Sequence, residues 1–558
     1  MLINVLKRVL RSLIERGKPR SAPAVPAEVL TAELPGLLDQ ARFAHRDGNL
    51  DEALRAYECA LKLIPPAQTQ ARSAVVVNMG VILREQVRLP QAIACLREAI
   101  VICPRVAIAH YNLGLVLYEM GESSEAEVEL NAAIEIAPDF QAAHSTLLCL
   151  YGLTRSENPE RVLAQHRRWA EKFADPLTSM APAHANDRSI DRRLTVGYVS
   201  ADFKEHSVAR FISPILANHD RARFRVICYD NWADGDATTE RLRGYADTWR
   251  KIDALDDENA AQLVRDDGVD ILVDLSGHTT GNRLLMFARK PAPVQASWMG
   301  YMCTTGMLAM DWRITDANLD PPDASDSWYA ERLMRIGCAV AFEPHPHSPA
   351  VNELPALQKG FVRFGSFNNY TKIGDQVISL WSRVLAVLPQ SRLMLVSLGG
   401  DDPQIKAAIA ARFERLTSSP GVSNRVEVIG RRSPEDFLRM FHQVDIALDP
   451  FPYSGGTTSL HTLWMGVPIV AIEGSTELSR STSGMLKGCG LHDLVAYGEE
   501  EYLSISIALA ADLGRLAELR ATIRQRLAQT ALGNGALVTR ELEDAYRMMW
   551  ADFVRSAG

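Results

Sequence analysis

The sequence predicts an α-helical solenoid followed by two Rossmann-like α/β domains, and two observations predict it. Over the first third, small and apolar residues recur at a spacing of 34, the period of a stacked helix–turn–helix unit. From Asp191 onward, short β-branched runs alternate with glycine-rich loops and helical patterns, in two successive sets. That alternation is the signature of parallel sheets covered on both faces. At 558 residues the chain exceeds one ordinary core.

The repeats come first. Leu113, Gly114, Leu117, Gly121, Ala126, Leu130, Ala133 and Pro138 occupy the packing positions of a tetratricopeptide (TPR) unit. Moving back by 34 finds Met79, Gly80, Leu83, Val87, Ala92, Leu96, Ala99 and Pro104. An earlier copy keeps Gly48, Ala53, Tyr57, Ala60 and Pro65, with five extra residues before the next, and a partial copy starts near Gln141. Small residues let paired helices approach, and the prolines end each second helix. Residues 31–188 are assigned to this array, whose surface either binds a protein or peptide acceptor or braces the next domain. Asn78 and Asn112, at one equivalent position, either hydrogen-bond an extended peptide backbone or are solvated polar positions. Ahead of the array, residues 1–30 form a basic amphipathic segment and linker. Within residues 1–17, Leu2/Ile3, Val5/Leu6, Val9/Leu10 and Leu13/Ile14 recur at helical spacing among Lys7, Arg8, Arg11 and Arg16. Such a helix either docks on the protein or makes peripheral membrane contact.

The first α/β set, assigned to residues 189–352, places strands at 194–200, 224–229, 271–275, 295–298 and 312–315. The second, 353–532, places them at 363–367, 392–397, 425–429, 446–448 and 469–472. Residues 533–558 read as a C-terminal helix that packs back across the lobes. A formal net charge of -8 without a long basic run argues against nucleic acid as partner. The eight cysteines show no C-x-x-C spacing, so they read as small buried hydrophobes in a reducing compartment. No apolar run reaches the ~20 residues of a membrane span; a cytoplasmic location is expected.

In open α/β sheets, ligands bind beyond the carboxyl ends of the strands. The loop 449–459 places Gly455 and Gly456 before Thr457, Thr458 and Ser459, which open a helix. Glycines admit close backbone approach and the helix start offers unpaired N–H groups, a cradle for a diphosphate. Lys372 follows the first strand of the same set and can stabilise a departing diphosphate. His206 and His278 follow strands of the first set, and imidazole suits an acceptor hydroxyl near neutral pH; neither is singled out as the base. Asp202 caps the next helix or orients a histidine. Asp234-Gly235-Asp236 reads as a turn, so no metal site is expected.

The segments GYVSADFKEHSVARF, DLSGHTTGNR, KPAPVQASWMGYMCTTG, FGSFNNYTKI and DPFPYSGGTTSLHTLWMGVPIV, placed after TPR repeats, resemble the bacterial O-GlcNAc transferase-like family. The resemblance runs from the repeats almost to the C-terminus. It implies a GT-B pair of lobes and a metal-independent, inverting transfer from UDP-GlcNAc to protein serine or threonine, with the nucleotide sugar as co-substrate and no cofactor. It implies His206 as the cleft histidine, Lys372 as the lysine facing the diphosphate, Thr457 and Thr458 on the phosphates, and Phe437 against the base. The expected catalytic set is therefore His206, Lys372 and His278. The expected donor-binding set is Asn369, Lys372, Phe437, Gly455, Gly456, Thr457, Thr458 and His461.

The chain departs from the family's pattern at three places. Gly456 replaces a histidine, His461 an acidic residue that contacts the ribose, and Pro434 a basic residue near the uridine; Arg431, Arg432 and Arg480 are candidates to compensate. These departures leave open two alternatives: a TPR scaffold with a non-catalytic nucleotide-sugar lobe, and a transferase using another donor sugar or a non-protein acceptor.

Overall fold

The computed structural model describes residues 33–154 and 158–556; the amphipathic segment 1–17 lies outside them. Four antiparallel helix pairs open the fold: α1 (Glu33–Arg46) with α2 (Leu50–Leu63), α3 (Thr69–Glu85) with α4 (Leu89–Ile102), α5 (Ala107–Glu119) with α6 (Ser123–Ile136), and α7 (Gln141–Thr154) with α8 (Pro159–Phe173). The repeat glycines explain the tight pairing. A Cβ on Gly80 would lie 2.7 Å from Leu96, and one on Gly114 2.9 Å from Leu130, 34 residues further on. The five inserted residues are absorbed by the loop before α3 and by α3 itself, which runs 17 residues against 13 for α5. Where Gly121 turns the chain at φ 78°, Val87 holds the equivalent corner at φ 62°. That is a strained conformation for a β-branched residue, and Val87 is packed there against Gly399 of the last lobe.

Two parallel sheets follow. The first comprises β1 (Leu194–Ser200), β2 (Phe224–Asp230), β3 (Thr248–Lys251), β4 (Ile271–Asp274), β5 (Val294–Ser297), β6 (Trp312–Asp316) and β7 (Arg332–Ile336), in the order β3-β2-β1-β4-β5-β6-β7. The second comprises β8 (Arg363–Ser366), β9 (Arg392–Val396), β10 (Val426–Ile429), β11 (Ile446–Leu448), β12 (Ile469–Ile472) and β13 (Val495–Ala496), in the order β10-β9-β8-β11-β12-β13. The interior strands fall where the apolar runs place them. β3, β7 and β13 were not expected: all three are edge strands, Thr248–Lys251 and Arg332–Ile336 interrupt their apolar residues with Arg or Lys, and β13 has two residues. An edge strand buries one side only, so it lacks the continuous apolar run.

The three bodies are locked together. The last helix, Gly535–Ser556, returns to the first lobe rather than lying across both. There Tyr546 Oη is 3.0 Å from Tyr198 Oη, and Glu543 reaches His219 Nδ1 at 2.9 Å. Between the lobes, Arg313 of β6 bonds the Glu477 carboxylate, Nε at 3.1 Å, with both side chains buried. The repeat array touches both lobes: His166 Nε2 is 2.7 Å from Tyr301 Oη of the first, and Gly121 packs on Tyr370 of the second. Asn112, expected to meet a peptide or solvent, is 1% exposed and donates to the Ile108 carbonyl at 2.7 Å. Its amide therefore holds a helix and does not line a peptide groove.

Candidate active site

The site forms at the carboxyl ends of β1, β8 and β11. Asp449, the residue after β11, is buried, and its carboxylate accepts the Gly455 N–H at 3.0 Å and the Asn368 amide at 3.3 Å. These bonds curl the loop 449–456 back on itself. Gly455 is required there: a Cβ would lie 2.0 Å from Ser459 Oγ and 2.9 Å from Asp449 Oδ1. Gly456, in contrast, faces open space, with nothing within 4 Å of where its Cβ would be. The loop is stapled to the helix Glu477–Gly488 through Ser454 Oγ to the Leu478 carbonyl at 2.8 Å and Thr482 Oγ1 to the Gly455 carbonyl at 3.1 Å.

The helix Thr457–Trp464 starts at this loop, with half-buried Thr457 and Thr458 in its first turn. Its first intrahelical bond is made by the Leu460 N–H to the Gly456 carbonyl at 3.1 Å, so the N–H groups of the first turn stay available for an anion. Lys372 arrives on the short helical turn Tyr370–Lys372 after β8. Its Nζ donates to the Ser454 carbonyl at 2.8 Å and lies 4.0 Å from the centre of the Tyr453 ring. The lysine therefore stands beside the glycine pair and the helix start. Burial pulls its pKa below the ordinary lysine range, opposed by the nearby Asp449 carboxylate. Burial likewise raises Asp449, against the bonds from Thr482 and the charge of Lys372.

Asn369 caps the Lys372 turn, accepting the Thr371 N–H at 3.4 Å, and its side chain is exposed. Phe437 stands edge-on to Phe367 at 5.9 Å and to Phe441 at 5.3 Å, half-buried in an aromatic cluster. Arg432 is committed to Asp401, at 2.6 and 3.0 Å, and Arg480 to the Gly474 carbonyl at 2.9 Å.

From the first lobe, His206 caps the helix Ser207–Asn218. Its Nδ1 accepts the Val208 N–H at 3.3 Å and lies 3.6 Å from Asp202 Oδ2. Arg210 lies in the first turn of that helix. His461 lies one turn after Thr457 on the facing lobe's helix. Burial first, then the positive charges of Arg210 and His345, holds His461 down to about 3. Phe342 lies between the two helices, its ring centre 6.4 Å from that of Phe211 on the first. His461 itself packs edge-on against Phe342 at 5.2 Å.

His278 is not brought to this cleft. It is 2% exposed, and its ring stands against Trp169 at 4.5 Å, His166 at 5.1 Å and Tyr301 at 5.5 Å. Its Nε2 is 3.2 Å from the Thr305 carbonyl. These neighbours belong to the seam between the repeat array and the first lobe, so the expected catalytic use of His278 gives way to a packing one. Nothing in the sequence signals that α8 covers that loop. Asp449 and Asn368, which shape the loop after β11, carry no such signal either. Asp236 caps its own helix through the Thr239 N–H at 2.9 Å and accepts the Glu205 N–H at 2.8 Å.

Residues 137–346 and 350–542 match glycosyl transferase family 41, and residues 80–121 and 107–140 match TPR repeat families. Over 422 residues the chain is 36% identical to the probable UDP-N-acetylglucosamine–peptide N-acetylglucosaminyltransferase SPINDLY of Petunia hybrida, a match covering 75% of this chain and 45% of that protein. The protein of the same description from Arabidopsis thaliana is 36% identical over 430 residues, covering 75% and 46%. The chain thus spans about half the length of the curated relatives it matches. Among solved structures, a mutant of Thermobaculum terrenum O-GlcNAc transferase superposes with a TM-score of 0.86 at 38% identity, covering 94% of this chain and 99% of that one. With TPR repeats ahead of two facing parallel-sheet lobes, this chain belongs to glycosyl transferase family 41.

Proposed function

We propose that the protein transfers GlcNAc from UDP-GlcNAc to serine or threonine hydroxyls of proteins, inverting the anomeric centre without a metal. The observation that carries this reading is the Lys372 ammonium, held 2.8 Å from the Ser454 carbonyl beside the opening of the helix Thr457–Trp464. A fixed cation next to free helix amides is matched to the charge that develops on a departing diphosphate. In this reading residues 353–532 hold the donor: Thr457 and Thr458 on the phosphates, Lys372 on the leaving oxygens, and Phe437 and Asn369 toward the nucleoside. Residues 189–352, completed by the helix in 533–558, present the acceptor side, and the array in 31–188 receives the acceptor protein. His206 is a positioning group. With Nδ1 accepting the Val208 N–H, the neutral imidazole carries its proton on Nε2 and donates a hydrogen bond rather than removing a proton. The names of the relatives support the donor and the acceptor class.

The test is incorporation of label from UDP-[³H]GlcNAc into protein, with and without EDTA, by the wild type and by Lys372→Ala. Loss of one charge-stabilising group is expected to lower kcat by about 10²–10³, with EDTA neutral. Transfer unchanged in Lys372→Ala would overturn the site; binding of the donor without turnover in the wild type would favour the scaffold alternative.

A further inference from the structure

We propose that a groove on the far side of the first lobe docks an acidic peptide segment of a partner protein. The groove encloses about 760 Å³, a volume suited to a short peptide stretch. It lies where β1, β2, β6 and β7 begin, under the last turns of the helix Gly535–Ser556. His206 follows the opposite end of β1, and seven residues of strand separate the two ends by roughly 20 Å. The groove is therefore distinct from the candidate active site, and the inference does not depend on the reaction proposed above.

Its lining carries five guanidinium groups, Arg193, Arg223, Arg332, Arg547 and Arg555, against two carboxylates, Asp191 and Asp552. This local excess of positive charge stands in a chain of formal net charge -8. Neutralisation by neighbours is partial. Arg332 meets Asp552 at 2.6 Å, but Arg223 is 3.7 Å from Asp544, Arg193 is 3.8 Å from Asp247 and Arg555 is 3.9 Å from Asp552, at contact limits where exposed pairs contribute little. Arg547 spends its donors on the carbonyls of Ile190, Arg192 and Arg223 at 2.7–3.1 Å, so it shapes the wall and adds charge without a carboxylate in those bonds.

The floor is apolar. Trp312 lies under Arg332, whose guanidinium carbon is 3.9 Å from the ring centre. Stacking of this kind holds the planar fork edge-outward, the presentation that suits a carboxylate. Met548, 61% exposed, and Met334 complete the floor; flexible thioethers adapt to varied apolar side chains. Guanidinium groups at 63% and 71% exposure on the rim, above an aromatic and two methionines, suit a segment that alternates carboxylates with one or two large apolar residues. The basic segment 1–17 of this chain carries the wrong charge for it.

The experiment is fluorescence anisotropy on the full chain with a labelled nonapeptide alternating Asp and Glu with Leu and Phe. Saturable binding at micromolar peptide, weakened at least ten-fold by Arg332→Glu/Arg555→Glu, by Met548→Asp, and by replacing the acids with Asn and Gln, is the expected result. The altered side chains are exposed, and an unchanged unfolding temperature confirms that each variant folds. Binding that is absent, that survives both sets of variants, or that a neutral peptide matches would overturn the proposal. So would a single-stranded RNA oligomer displacing the peptide at lower concentration, which would make the groove a phosphate-backbone site.

Discussion

Lys372, half-buried, and Asp449, buried, are opposite charges on neighbouring loops, and each perturbs the other. Because burial depresses the lysine, the free enzyme is expected to lose the ammonium, and with it activity, at lower pH than an ordinary lysine would dictate. The profile of kcat/KM reports groups of the free enzyme, so its alkaline limb is expected below the ordinary lysine value of about 10.4. A limb at or above that value would show that this charge does not govern the reaction. Lys372 and the Gly-Gly-Thr-Thr stretch were legible in the sequence because each follows a strand and so must lie at one edge of the sheet. Asp449 was quoted with its loop but given no role. Its importance comes from the Gly455 N–H bond, which closes only when the loop 449–456 folds back, and no spacing encodes that.

At the scale of elements, the seam between α8 and the first lobe buries His166 and His278 as neutral rings. Burial lowers His166 to about 4, and lowers His278 well below its ordinary value. Both folded-state values lie below the unfolded value of about 6.5. Their stabilising contribution is therefore complete above that pH and is lost as pH falls toward the folded values, since the unfolded chain takes up protons first. For His166 alone the loss amounts to roughly 3 kcal/mol by pH 4. Thermal unfolding followed from pH 7 to pH 5 should show a steep fall in Tm for the wild type and a shallower one for His166→Gln/His278→Gln. Equal slopes would mean that the seam does not set the acid limit. The helices of this seam were predictable from the 34-residue period. Their contact with the loop after β4 was not, because a repeat specifies its neighbours in the stack and says nothing about what the end of the stack lies on.

At the scale of the molecule, three contacts make one body of repeat array and lobes: α8 on the first lobe, Gly121 on Tyr370 of the second, and the buried Arg313–Glu477 bridge between the lobes. Removing one partner of a buried ion pair leaves an uncompensated charge. Arg313→Met is therefore expected to destabilise by about 3–5 kcal/mol, and Arg313→Met/Glu477→Met to recover most of it, as measured by urea unfolding. A single variant costing less than about 1 kcal/mol would show that the bridge does not hold the lobes.

The sequence alone determined the fold class, the interior strands and the order of chemistry-bearing loops. Each of these follows from local periodicity and from the rule that parallel strands present their carboxyl ends together. Only the tertiary structure decided which histidine the repeat array buries. His206 and His278 occupy like positions after strands of one sheet, yet α8 covers the loop of His278 and leaves that of His206 half-exposed. Burial of a loop depends on residues more than a hundred positions away in the chain, and periodicity carries no information at that range.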